Sequence, residues 1–250
     1  ATDGADTAER TTFTVGFDAE YPPYGFKNDA GEYVGFDLDL AQEVCDRNGW
    51  ELIKQPIDWS SKDMELNSGT VDCLWNGFTM TGRESEYTFS EPYVDNSIVF
   101  VVRQDSDIQT KEDLAGKIVI TQAGSSALTA LTNTEDNDEN LALAATFASL
   151  EQTPDYNSAF MSLETGAVDA IAVDIGVAQY QLTNHSDKFR QLEEPLSTEQ
   201  YAIAFKLGNE ELRDQVQATL DEMVEDGTFD AIAANYADYN LDQMVCLGKE

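Results

Sequence analysis

Positive charge is what this 250-residue chain lacks. It holds 14 Lys and Arg against 48 Asp and Glu, a formal net charge of −34. No Lys or Arg occurs between Lys117 and Lys188. Phosphate backbones are gripped by basic faces, so no nucleic-acid partner is expected. Adhesion to an anionic membrane surface is disfavoured on the same ground. The acidic excess favours soluble monomers and draws in cationic solutes at low salt, although an acidic solvated surface alone accounts for it. Histidine is nearly absent, with His185 alone. The three cysteines, Cys45, Cys73 and Cys246, match no zinc or redox spacing. No metal or cofactor is therefore expected. Cys45 and Cys73 fall at apolar positions and read as packed thiols, or as a disulfide pair in an oxidising compartment. There is no apolar run of about 18 residues and so no membrane-spanning segment. The opening Ala1 to Glu9 is small and polar. It reads as a mature N-terminus whose targeting segment is gone, suited to a tether from a lipid anchor, or equally as a cloning boundary.

What is present is an α/β pattern with 42% apolar residues, ample for a core. Residues 12–17 alternate as a strand, and Asp18 to Gly25 form a rigid loop with two prolines. A helix follows Gly35-Phe-Asp37, with Asp37 as its expected N-cap. Glu51 to Ile57 is a second strand. Leu66-Asn-Ser-Gly-Thr-Val-Asp-Cys73 then echoes Leu163-Glu-Thr-Gly-Ala-Val-Asp-Ala170. In each, a helix stops at a glycine and a short apolar strand follows. Two equivalent units about a hundred residues apart imply two similar lobes. Ser97 to Arg103 and Gln200 to Lys206 are apolar runs, one leaving and one returning, expected as paired crossovers. Residues 133–140 read as an exposed acidic loop.

In α/β sheets ligands bind beyond the carboxyl ends of strands. That rule selects Asp18, Glu20, Tyr21, Trp59, Asn76, Gly77, Phe78, Thr79, Gln122, Ser125, Ser126 and Asp174, with Arg83 just beyond. These groups complement a zwitterion. Arg83 can grip a carboxylate with two parallel hydrogen bonds, and the Ser125 and Ser126 N–H groups at a helix start add anion donors. Asp174 and the Asn76 or Gly77 carbonyl can accept from an ammonium. Tyr21 and Trp59 can flank a side chain. Each has a plainer reading: Arg83 paired with Glu84, Glu86 or Glu91, Asp174 and Ser125 as helix caps, the aromatics as core. Their joint placement at strand ends favours a site.

The same residues carry a family resemblance. Tyr21-Pro-Pro-Tyr24, Gly35-Phe-Asp-Leu-Asp-Leu-Ala41, Asp58-Trp59, Asn76-Gly-Phe-Thr-Met-Thr-Gly-Arg83, Phe89-Ser-Glu-Pro-Tyr93, Gln122-Ala-Gly-Ser-Ser126, Gly166-Ala-Val-Asp-Ala170 and Asp174 occur in order. Over about residues 12–240 the chain resembles the amino-acid-binding bacterial extracellular solute-binding proteins, family 3. That resemblance implies a two-lobed, type II periplasmic-binding-protein-like fold with the ligand cleft between lobes and two hinge strands. Lobe 1 is expected from 1–100 plus 201–250, and lobe 2 from 101–200. It further implies that Arg83, Thr79 and Ser126 hold an α-carboxylate, Asp174 and Gly77 an α-ammonium, and Tyr21 and Trp59 the side chain. ABC-transporter permease subunits are the implied partners, outside the cell or in the periplasm. Two departures stand out: Thr81-Gly82-Arg83 is one residue shorter than the usual Thr-Pro-Glu-Arg, and Leu52 fills the partner position of a disulfide that some relatives form from the position of Cys45.

The equivalent of Asp18 is acidic in relatives that bind basic amino acids or glutamine. Asp18, with Glu20, thus points to arginine or lysine, then glutamine. If both lie at the rim, they select nothing. No nucleophile–base pair is visible, so a binding protein is expected rather than an enzyme. The other classes are a cyclohexadienyl-dehydratase-like enzyme, with Glu20 or Asp18 as its acid, and a detached sensory domain.

Overall fold

The computed structural model describes residues 9–133 and 138–249. The polar opening segment (1–8) and half of the expected acidic loop (134–137) lie outside them, and residues 138–140 of that expected loop instead begin a helix.

The strands are β1 (Thr12–Phe17), β2 (Glu20–Tyr21), β3 (Gly25–Lys27), β4 (Tyr33–Val34), β5 (Glu51–Pro56), β6 (Cys73–Leu74), β7 (Thr88–Phe89), β8 (Val94–Arg103), β9 (Ile118–Gln122), β10 (Ser149–Thr153), β11 (Ala170–Asp174), β12 (Phe189–Gln191), β13 (Ser197–Tyr201) and β14 (Ala204–Phe205). The helices are α1 (Phe36–Asn48), α2 (Lys62–Ser68), α3 (Ser126–Thr132), α4 (Asp138–Ala145), α5 (Tyr156–Glu164), α6 (Ile175–Asn184), α7 (Glu210–Glu225), α8 (Thr228–Ala234) and α9 (Leu241–Met244). One large sheet runs β5-β1-β6-β14-β7, a second runs β10-β9-β11-β8-β12 with β13 also on β8, and a small third runs β2-β3-β4. The molecule is two-lobed, one large sheet to a lobe, and the chain passes between the two large sheets twice.

Those passages sit differently from the sequence expectation. The Ser97–Arg103 run is wholly inside the second sheet, and the outward passage precedes Val94. Pro92 lies there, where a residue without N–H cannot serve a ladder. The returning run breaks after Tyr201, ending β13 before β14 enters the first sheet. β8 and β13 pair antiparallel from Val94↔Tyr201 to Ile98↔Ser197, giving two adjacent hinge strands. The stretch Ile98–Val102 of β8 is continuously apolar because both its faces are covered: Val99 and Val101 enter one core, and Ile98, Phe100 and Val102 another.

The internal echo is structural. The turn glycines Gly69 and Gly166 both have positive φ, at 80° and 78°. Asp72 donates its N–H to the Thr14 carbonyl at 2.9 Å, and its Oδ2 accepts from the Thr14 N–H at 2.7 Å. Asp169 repeats this on Ile118, both at 2.8 Å. Each aspartate satisfies backbone groups at the start of a parallel strand.

Asp37 is not a cap. Gly35, at φ 140°, takes the N-cap position of α1 two residues earlier, and a Cβ there would lie 2.3 Å from the Tyr24 carbonyl oxygen. Asp37 is instead fully buried. It accepts from the Gly77 N–H at 2.6 Å and the Tyr93 hydroxyl at 2.7 Å. The three cysteines are free. No helix among the described residues is long and apolar enough to cross a membrane.

Candidate ligand-binding site

Between the two large sheets lies a small cavity of about 20 Å3. It is lined by Tyr21, Trp59, Asn76, Gly77, Thr79 and Arg83 from the first lobe and Gln122, Ser125, Ser126 and Asp174 from the second. Ten of the residues selected by the strand-end rule thus meet at one place. Asp18, Glu20 and Phe78 stand outside that wall. Asp18 is 6% exposed behind Gln122, whose Nε2 donates to its Oδ2 at 2.6 Å. Glu20 is exposed and accepts from Asn157. Phe78 is fully buried beneath Arg83 and Trp59.

Local geometry commits some groups and leaves others open. Arg83 is half-buried, with its guanidinium 4.9 Å from the Phe78 ring centre. Among the described residues no carboxylate pairs with it, Glu84, Glu86 and Glu91 included. Gly77 gives its N–H to Asp37. At φ 56° it must be glycine, since a Cβ would come within 2.8 Å of the Tyr201 ring. Among the described residues the buried Oδ1 of Asn76 finds no hydrogen-bond partner. Such an orphan acceptor suits an incoming N–H donor.

Asp174 takes the N-cap position of α6, yet its carboxylate makes no cap hydrogen bond. It accepts instead from the Tyr201 hydroxyl and from Asn96 Nδ2 at 2.9 Å. Burial first, then the Glu199 charge, pushes its pKa well up. Burial likewise raises Asp18 to about 6. Ser125 does cap α3, accepting from the Leu128 N–H at 3.2 Å. The Tyr21 hydroxyl lies 3.1 Å from that of Tyr201, and Trp59 meets Phe78 edge-on.

Glu199 escaped the sequence reading. It lies in β13 opposite Asn96 of β8. Its Oε1 accepts from Thr79 Oγ1 at 2.5 Å, Asn96 Nδ2 at 2.8 Å and Ser126 Oγ at 2.8 Å. The Thr79 and Ser126 hydroxyl protons, expected to hold a carboxylate, therefore point to a hinge carboxylate here. Nothing in Ser197-Thr-Glu-Gln-Tyr201 flags a site. Only the register against β8 turns Glu199 inward.

The chemistry of this wall is polar and separates charge. A free guanidinium stands on the first lobe, and a buried carboxylate not used for capping stands on the second. Among the described residues no cluster fit to hold a metal ion occurs. Two lobes that bury such a cavity between them, joined by a pair of hinge strands, make a type II binding protein. The chain belongs to the bacterial extracellular solute-binding proteins, family 3, which it matches over residues 13–239. It is 29% identical over 231 residues to an L-cystine-binding protein of Escherichia coli, covering 91% of this chain and 83% of that one. An ABC-transporter substrate-binding protein of Streptococcus pneumoniae, solved with bound histidine, superposes with a TM-score of 0.84 at 31% identity, over 90% and 92% of the two chains. An ancestral arginine-binding protein with bound arginine superposes at 0.83 and 33%, over 91% and 99%.

Proposed function

We propose that this protein captures a free polar or cationic L-amino acid, arginine or lysine before others, and hands it to the permease of an ABC transporter. The observation that carries this is the polarity of the cavity: the unpartnered Arg83 guanidinium on one lobe and the buried Asp174 carboxylate on the other. Together they match the two charged ends of an amino acid. The binding of cystine, histidine and arginine by similar proteins supports the class. Preference for a basic side chain rests on Asp18, which lies behind Gln122. Glutamine is the second reading, because Gln122 already offers an amide to Asp18 and that carboxylate accepts it.

Capture is by hinge closure of lobe 1 on lobe 2, with the boundaries moved from the expected 100/101 and 200/201 to just before Val94 and just after Tyr201, because β8 and β13 both belong to the second sheet. A ligand touching Arg83 and Asp174 touches both lobes and so draws the population toward the closed form. A melting-temperature screen of the twenty amino acids tests the reading, since a ligand of the folded state raises the midpoint. Arginine or lysine is expected to give the largest rise. No rise with arginine, lysine or glutamine overturns the proposed ligand class.

A further inference from the structure

Lys62 opens α2, three residues after Trp59, and is 8% exposed. Its Nζ lies 3.4 Å from the Gly124 carbonyl oxygen, across the cleft, on the turn that presents Ser125 and Ser126. It also sits 5.5 Å from the Trp59 ring centre. Among the described residues no carboxylate pairs with it. The neighbouring carboxylate, Asp63, is engaged by the Tyr87 hydroxyl instead. Burial and the nearby Arg83 charge both press its pKa down, while Asp63 and Glu86 pull it up.

An enclosed ammonium without a counter-charge is costly. This chain has 48 acidic residues to offer, yet among the described residues neither Arg83 on the cavity wall nor Lys62, just behind the wall residue Trp59, pairs with one. The arrangement makes sense when the missing anion arrives from outside. An amino acid brings one such group whatever its side chain. One long hydrogen bond to a carbonyl leaves the remaining Nζ protons of Lys62 able to turn to it.

We propose that Lys62 is a second cationic contact for the ligand's α-carboxylate, acting with Arg83 and completed as the cleft closes on the Gly124 turn. This rests on the amino-acid reading above, but not on which amino acid it is. Neither the motif residues nor the strand-end rule pointed to Lys62.

The test is calorimetric titration of each of the twenty L-amino acids into the wild type. Those that bind are then titrated into Lys62→Met, Lys62→Gln and Lys62→Arg, each first checked for an intact melting transition. Met removes charge and donor together. Gln keeps a donor for the Gly124 carbonyl but no charge, and Arg keeps the charge. Met and Gln are expected to weaken binding at least tenfold, with Arg within about threefold of wild type. If Gln binds like wild type, Lys62 is only a hydrogen-bonded latch and the proposal is overturned. It is also overturned if Met binds like wild type, or if Arg is as weak as Met. Should Met fail to fold, Gln against Arg decides. If no amino acid binds the wild type, the amino-acid reading itself falls, and this inference with it.

Discussion

Arg83 shows most directly how one residue can matter to binding and not to folding. Among the described residues it makes no ion pair, and it lies over Phe78 at the cavity wall. Arg83→Ala should leave the melting temperature of the free protein nearly unchanged while weakening amino-acid binding by about 2–5 kcal/mol, the usual penalty for truncating one side of a desolvated charge pair. Titration calorimetry reads the second effect; binding within a few-fold of wild type removes Arg83 from the carboxylate contact. Arg83 was legible in the sequence because cations are so few and it follows a strand end. Asp174 was legible as a strand-end acid, although only the structure shows its carboxylate turned away from the helix it precedes. Glu199, Asn96 and Lys62 were not legible. Their inward aim depends on strand register and on contacts across the cleft, and no local pattern encodes either.

Two elements recur in this fold as the sequence echo implied, and each is fastened by one aspartate. Asp72 joins β6 to β1 through Thr14, and Asp169 joins β11 to β9 through Ile118. Asp169→Ala leaves the Ile118 N–H without its carboxylate partner, a loss of about 1–3 kcal/mol for a hydrogen bond to a charged group. Asp72→Ala should cost a similar amount. Denaturant midpoints measure both, and a cost confined to one of the two would mean the matching geometry does not carry matching energy. The hinge pair β8–β13 is a second element-level case. The Glu199 Oε1 gathers a donor from each lobe and one from the facing hinge strand. Glu199→Ala should loosen the closed arrangement of the ligand-free protein. The expected result is a larger radius of gyration by X-ray scattering, together with a lower melting temperature. An unchanged radius would show that Glu199 does not tie the lobes. The sequence located both hinge strands to within a few residues, yet put the outward passage too late. A run buried on both faces looks the same whether it crosses between lobes or lies within one sheet.

At the scale of the whole molecule, buried carboxylates set stability and ligand capture against each other. Burial raises Asp37 to about 7 and Asp18 to about 6, and raises Asp174 as well, all from an ordinary value of 3.8. Between about pH 4 and pH 7 the folded chain therefore holds protons that the unfolded chain has lost. Stability follows the difference in bound protons, so it falls as pH rises through this window and levels off above it. Relief of self-repulsion in a chain of charge −34 acts in the same direction. Ligand capture runs the other way. An ammonium at Asp174, or a cationic side chain near Asp18, needs the ionised carboxylate, and closure on the ligand expels the proton. The ligand-free protein should thus melt at a higher temperature at pH 5 than at pH 7.5, while amino-acid affinity falls over the same interval by up to about tenfold per pH unit for each proton displaced. Titration calorimetry at pH 6.5 in two buffers of different ionisation heat should register proton release on binding. Proton uptake would mean that neither Asp174 nor Asp18 meets a positive charge in the closed cleft, and no exchange at pH 6.5 or at pH 5.5 would mean the same. The zwitterion reading would then have to be abandoned even if an amino acid binds.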